Sequence, residues 1–509
     1  MGRHLRALMN RFHLQAADRS FNIVIKSRAA GPQIPHLADL CRGTPWNPNL
    51  TLHCHSSCGP DQLSLCGGLA EARNRVQTCL RLAIDAGAGG GLVIPPVVSR
   101  AEDGLTPDLR SGSVCPGSLW DIAGMRRTLG NWCPGLKIRT TAACRSDGDD
   151  STSGAVGTER GQQHVKTVNL PTRRYDGPHH NTATSSSSSS STLSFGKLVQ
   201  GFLRKASLDA EPVIVRYGDP HLAWDYAQSG EMATLRRELF HSMKHNSSLI
   251  ALGRAVFDQI AEAAGGVDGR FIGVHLRGEG DLPKTGSAGV EAQLREFVKA
   301  IKGIASPSGT SSTPAAGPSP DDLKKRYDND ATLDDDSKIR TVYVSCSDRA
   351  AIQKFREMLE TLNYTVYDWR ALLGPPPGIS DSKLNHQRHP GNGTLLAQIE
   401  ALGSDQRDVV EYEVLVRARY WIGVSTSPLP TLIAYARGGV GATENLEEQK
   451  EKNTVGWFDR YINPRSSKTV GVDGDAARRE YASDMRVRGD QFTKLLVVSR
   501  ENVTDYFFP

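Results

Sequence analysis

Phe271-Ile272-Gly273-Val274-His275-Leu276-Arg277-Gly278-Glu279-Gly280-Asp281 is the stretch on which the reading of this 509-residue chain turns. Its opening residues are largely apolar, two of them β-branched, and read as a buried strand. The run then breaks into a glycine-bearing turn carrying His275, Arg277 and Asp281. A charge placed where a buried strand ends needs a partner, because an unpaired buried charge is costly. Two partners suit Arg277. One is Asp281 or Glu279, in an ion pair that pins the turn. The other is a phosphate, since open α/β sheets take ligands at the carboxyl ends of their strands.

The sequence that follows bears on this choice. Thr341–Val344 reads as a strand, and a helix from Asp348 carries Ile352, Phe355, Leu359 and Leu362 on one face. Thr365–Tyr367 is the next strand, completing a β-α-β unit. A helix over about 406–418 precedes the strand Tyr420–Val424, the loop Ser425-Thr426-Ser427 and a helix from Leu429 to Arg437. A strand, a hydroxyl-rich loop and a helix N-terminus together suit an anion, because orphan amides and hydroxyls converge there. Ordinary capping by Ser427 accounts for the same loop without a ligand. Two anion-suited sites in one α/β half favour the phosphate for Arg277. A diphosphate leaving group needs both charge and neutral donors as its own negative charge builds.

Upstream, residues 1–38 read as a polar tail. Gly67 to Ala86 form an amphipathic helix with Val76, Cys79, Leu80 and Ala83 on one face. Gly87 to Gly91 end it, before a strand Gly91–Ile94 stopped by Pro95-Pro96. That order, helix–glycines–strand, makes the glycine cluster a turn rather than a phosphate loop. Leu119-Trp120-Asp121 opens a helix ending before Cys133-Pro134, and Leu136-Lys137-Ile138 is strand-like. A strand at Pro212–Val215 and two helices within 229–264 lead to the opening stretch. Residues about 145–194, with serine at every position from Ser185 to Ser191, and about 303–338 are expected to be disordered insertions. Asp147/Asp149 and Asp328/Asp330, lying in them, read as solvated acidic loops rather than metal sites.

Lys and Arg total 61 against 56 Asp and Glu, a surplus of +5 that forms no stripe, so nucleic-acid binding is not indicated. Eight of nine cysteines precede residue 145, and Asn-x-Ser/Thr sequons start at Asn49, Asn246, Asn363, Asn392 and Asn502. Together they favour several disulfides and a secretory-pathway lumen; the alternative is a cytosolic chain with thiols. Met1 to Ala30 hold no apolar run of signal or anchor length, and no stretch reads as a membrane span, so an upstream anchor is the expectation. His53-Cys54-His55 with Cys58 and Cys66 invites a zinc reading, but the spacings fit no familiar finger, and disulfides are preferred.

Four blocks, in order over roughly 60–440, resemble the protein O-fucosyltransferase superfamily, in particular its fungal O-fucosyltransferase-like branch. They are Gly67-Gly68-Leu69-Ala70-Glu71-Ala72-Arg73, Leu119-Trp120-Asp121 through Cys133-Pro134-Gly135-Leu136, Gly273-Val274-His275-Leu276-Arg277 with Asp281, and Tyr420 to Arg437. The resemblance implies an α/β fold of GT-B type, two Rossmann-like lobes (39–264 and 265–509) facing a cleft. It implies GDP-fucose as donor substrate, held mainly by the second lobe, inversion at the sugar carbon, a protein or glycan hydroxyl as acceptor, and neither cofactor nor essential metal. By motif position, Arg277 would hold the phosphates and assist their departure, and His275 would meet the nucleoside side. Ser425, Thr426 and Ser427 would ligate phosphate oxygens, Asp348 would meet the guanosine, and Gly67 and Gly68 would border the donor. Glu71 falls beside the acceptor hydroxyl, where it could take the proton; it is equally a favourable anion in a first helical turn. Pro428, Ala70 and Ala72 depart from the pattern, so the alternative is a degenerate member that binds without catalysis.

Overall fold

The computed structural model describes residues 36–54, 65, 68–100, 112–144, 174–175, 195–205, 213–217, 223–224, 235–265, 270–276, 290–305, 339–374, 392–424, 428–438 and 493–496. The two expected disordered insertions fall almost wholly outside the described residues.

Two parallel sheets organise the α/β chain. In the first, β1 (Leu50–Cys54), β2 (Gly91–Ile94), β3 (Ile138–Thr140) and β4 (Val213–Tyr217) lie in the order β3-β2-β1-β4. In the second, β5 (Ile272–His275), β6 (Thr341–Ser345), β7 (Thr365–Tyr367), β8 (Tyr420–Val424) and β9 (Thr493–Leu496) lie in the order β7-β6-β5-β8-β9. Every pairing in both sheets is parallel. Each sheet starts at an inner strand, winds outward over two strands, then returns to the other side. Its winding therefore reverses between β1 and β4, and again between β5 and β8.

Among the connecting helices are α1 (Leu37–Gly43), α2 (Leu69–Ala86), α3 (Ile122–Trp132), α4 (Phe195–Lys205), α5 (Leu235–Ser242), α6 (Ser247–Ala263), α7 (Val290–Ala305), α8 (Arg349–Glu360), α9 (Ser404–Val416) and α10 (Pro428–Gly438). The second sheet is buried on both faces, which is why its strands read as near-continuous apolar runs. Ile272, Val274, Val342, Val344 and Ile422 pack with Phe297 of α7 and Phe355 of α8. The other face, Phe271, Tyr343 and Trp421, joins a core that continues through α6, α9, α10 and α2 to the first sheet. A side chain at Gly273 would press on Ala418 and Leu415, so glycine there lets α9 close onto β5.

Several sequence blocks prove to be scaffolding. Asp121 caps α3, accepting from the Gly124 amide at 2.7 Å. Cys133 is bonded to Cys41, and Gly135 lies against the Trp46 ring. Cys54–Cys79 and Cys115–Cys144 are also disulfides. Cys54 is thus committed to a disulfide rather than to a metal, while Cys58 and Cys66 lie outside the described residues. Among the described residues no helix is long and apolar enough to cross a membrane.

Candidate functional site

The reversal point between β5 and β8 is where a doubly wound sheet opens a crevice. His275 ends β5, half-buried, beside Ser345 at the end of β6. Val274 pairs with Ile422, so the end of β8 is level with Leu276. Both strands finish at one edge. Arg277 and Ser425–Ser427, the next residues in sequence, lie outside the described residues, as does Gly67.

Pro428 and Pro430 stand in the first turn of α10. Proline at the first helical position is pre-set for the helix and lacks an amide hydrogen that would be orphaned there anyway. An anion at this helix start would meet amides from Leu429 but none from Pro428 or Pro430. A side chain at Gly423 would collide with Pro430, so glycine at that position lets the helix start fold back against β8.

Asp348 caps α8: one carboxylate oxygen accepts from the amides of Ala350 (2.9 Å) and Ala351 (3.1 Å). That oxygen is engaged by the fold itself.

The N-terminus of α2 follows β1, the corresponding place in the first sheet. Gly68 caps the helix and Glu71 stands exposed in its first turn, while Ala70 and Ala72 are buried in the core. The open side of Gly68 is covered by the Arg100 guanidinium, which a side chain at that position would strike. Arg100 in turn donates to Asp405 (Nε to Oδ1, 2.7 Å) and to Asp408 of α9. Burial opposes its charge, but Asp408 and Asp405 outweigh burial and hold Arg100 above its ordinary pKa. Burial pushes Asp405 up to about 6, Asp408 adding to the effect and Arg100 opposing it. Helix α9 leads into β8 and runs back along it, so Asp405 and Asp408 lie toward the edge where β8 ends. Arg100 thus ties the segment after β2 to the first turns of α9.

A second polar tie lies deeper. Arg73 of α2 donates to His245 Nε2 (3.0 Å) and to the Phe240 carbonyl (2.8 Å), with its guanidinium 4.3 Å from the Phe240 ring centroid. With Nε2 accepting, His245 Nδ1 carries the hydrogen and faces Glu413 Oε1 at 3.4 Å. Glu413 also meets Arg417 at 2.6 Å. Burial lowers the His245 pKa to about 4; Glu413 pulls the other way and Arg73 assists burial. The imidazole is therefore neutral at pH 7.

Sequence reasoning did not find Arg100, His245, Asp405, Asp408 or Glu413. Each partner sits far away in sequence, and Asp405 and Asp408 look like the solvated face of an ordinary helix.

These features define an α/β protein built on two parallel sheets, and the reversal point of each sheet is the usual place for a ligand in such folds. No family model and no curated protein matches the chain. Among solved structures it is similar to POFUT1 in complex with GDP-fucose: 12% identity, TM-score 0.38, covering 78% of this chain and 97% of that one. POFUT1 in complex with GDP gives 12% identity and TM-score 0.35 over 78% and 97% of the two chains. A mutant of FUT1 from Arabidopsis thaliana in complex with GDP gives 9% identity and TM-score 0.32 over 79% and 71%.

Proposed function

We propose that this chain is a glycosyltransferase that moves fucose from GDP-fucose to a hydroxyl on a protein acceptor, with inversion, in a secretory-pathway lumen. The observation that carries the reading is the reversal point of the second sheet, flanked by the ends of β5 and β8. The sequence places Arg277 two residues after the first of these strand ends and Ser425–Ser427 directly after the second. The order of the four resembling blocks supports the same reading, as do, for the compartment, the three disulfides among the described residues.

In this account the two lobes are built on the two sheets. The acceptor oxygen attacks the sugar carbon as the bond from that carbon to the β-phosphate oxygen breaks. The electron pair leaves with GDP, whose growing charge Arg277 and the 425–427 loop stabilise. Glu71, exposed at the first turn of α2, takes the hydroxyl proton. His275 borders the nucleoside, and neither metal nor cofactor takes part.

Incubation with labelled GDP-fucose and, separately, GDP-mannose, scoring hydrolysis and transfer to a fungal protein extract, tests this. The expected result is transfer from GDP-fucose alone, abolished in Glu71→Ala with GDP binding retained. Binding of GDP with neither transfer nor hydrolysis would instead support a nucleotide-binding protein without catalysis. The missing amide hydrogens of Pro428 and Pro430 favour that second reading.

A further inference from the structure

We infer that Asn363 is an N-glycosylation site, an assignment that rests on the secretory-lumen reading above. Asn363 follows α8 in the left-handed region (φ 59°), its amide donating to the Glu360 carbonyl at 3.0 Å and the Tyr364 amide closing the turn onto Leu359 at 3.1 Å. The residue is exposed, and among the described residues no hydrogen bond engages its side-chain amide. Thr365, the hydroxyl residue of the sequon, is exposed as well. Two of the other described sequons, Asn246 and Asn49, differ; the third, Asn392, opens the helix Asn392–Glu400. Asn246 Nδ2, the atom a glycan would occupy, donates to the Gly117 carbonyl at 2.8 Å, and its oxygen caps α6 through the Ser248 amide at 2.9 Å. Asn49 leads into the central strand β1, where its sequon partner Thr51 is buried.

The position also leaves the candidate site clear. Thr365 pairs with Thr341 at the amino end of β6, whereas Ser345 and His275 pair at the carboxyl end, about 13 Å further along the strand. Among the described strands β7 is an edge of the second sheet, and a glycan on the residue two before it would shield that edge from pairing with another chain. In the reaction, the Asn363 amide nitrogen bonds to the first sugar carbon of a polyprenyl-pyrophosphate-linked oligosaccharide. The carbon–oxygen bond to pyrophosphate breaks, and the amide loses one proton.

The full chain behind a cleavable secretory leader, produced in eukaryotic cells and recovered from the medium, provides the test. Peptide N-glycosidase F in heavy-oxygen water, followed by peptide mass spectrometry, reads occupancy at each sequon. Asn363 should be converted to labelled aspartate and Asn246 should not. N363D and T365A should each lose one glycan step in gel mobility, while T365S keeps it. N363D tolerates the same backbone geometry and should retain the wild-type thermal response to GDP. An unlabelled Asn363 in secreted chain overturns the assignment. Because the leader fixes the compartment, that result speaks against the site alone; fractionation of cells making the leaderless chain tests the compartment separately.

Discussion

Burial keeps the His245 imidazole neutral, with Arg73 assisting and Glu413 opposing, and acid therefore weakens the fold. Its pKa is about 4 in the fold and 6.5 when free. Below 6.5 the unfolded chain takes a proton that the folded chain refuses. Stability is thus fully present above pH 6.5 and falls as pH drops toward 4, by roughly 3 kcal/mol from this residue. Denaturant melts at pH 7, 5 and 4 should show that loss, and His245→Gln should start lower at pH 7 but lose less on acidification. Equal acid sensitivity in the two proteins would contradict this account. Arg100 makes a different prediction. Arg100→Ala leaves Asp405 and Asp408 together without their cation, which should cost about 3–5 kcal/mol, with Arg100→Lys in between.

At the level of elements, most of the second sheet was legible in the sequence. The apolar runs 272–276 and 341–344 read as strands because both of their faces are buried by different helices, and Ile352, Phe355 and Leu359 do line the buried face of α8, which ends at Glu360 before Leu362. The central strand β1 was not legible. Thr51 and His53 break its apolar run, and the Cys54 next to them draws the eye to metal chemistry, whereas the thiol pairs with Cys79. Helix α4 was obscured by the serine run before it, and α7 by the low-complexity stretch after it. Of the candidate site, the strand ends were readable from period and punctuation. The Arg100 and His245 ties were not, since pairs separated by hundreds of residues leave no local spacing. Packing between β8 and α10 gives an element-scale test. Gly423→Ala drives a methyl into Pro430, a ring that cannot rotate away, and should lower stability by about 1–3 kcal/mol. An unchanged melting temperature would show that α10 does not fold back against the strand.

Across the whole molecule, the disulfide Cys41–Cys133 spans 92 residues, the longest loop closed among the described bonds. Replacing both cysteines with serine should cost about 4–5 kcal/mol on the chain-entropy model, more than loss of the 25-residue Cys54–Cys79 loop. The two sheets share one continuous core through α2, α9 and α10, with Arg100 and Arg73 as polar ties across it. We propose that a nucleoside diphosphate binds at the β5–β8 reversal. Thermal unfolding with and without GDP tests it most directly. At a hundredfold excess over its dissociation constant, GDP should stabilise the chain by about 2.7 kcal/mol, a rise of several degrees. Arg277→Ala should remove most of that rise. No response of the wild-type chain to millimolar GDP, or an equal response in Arg277→Ala, would contradict it.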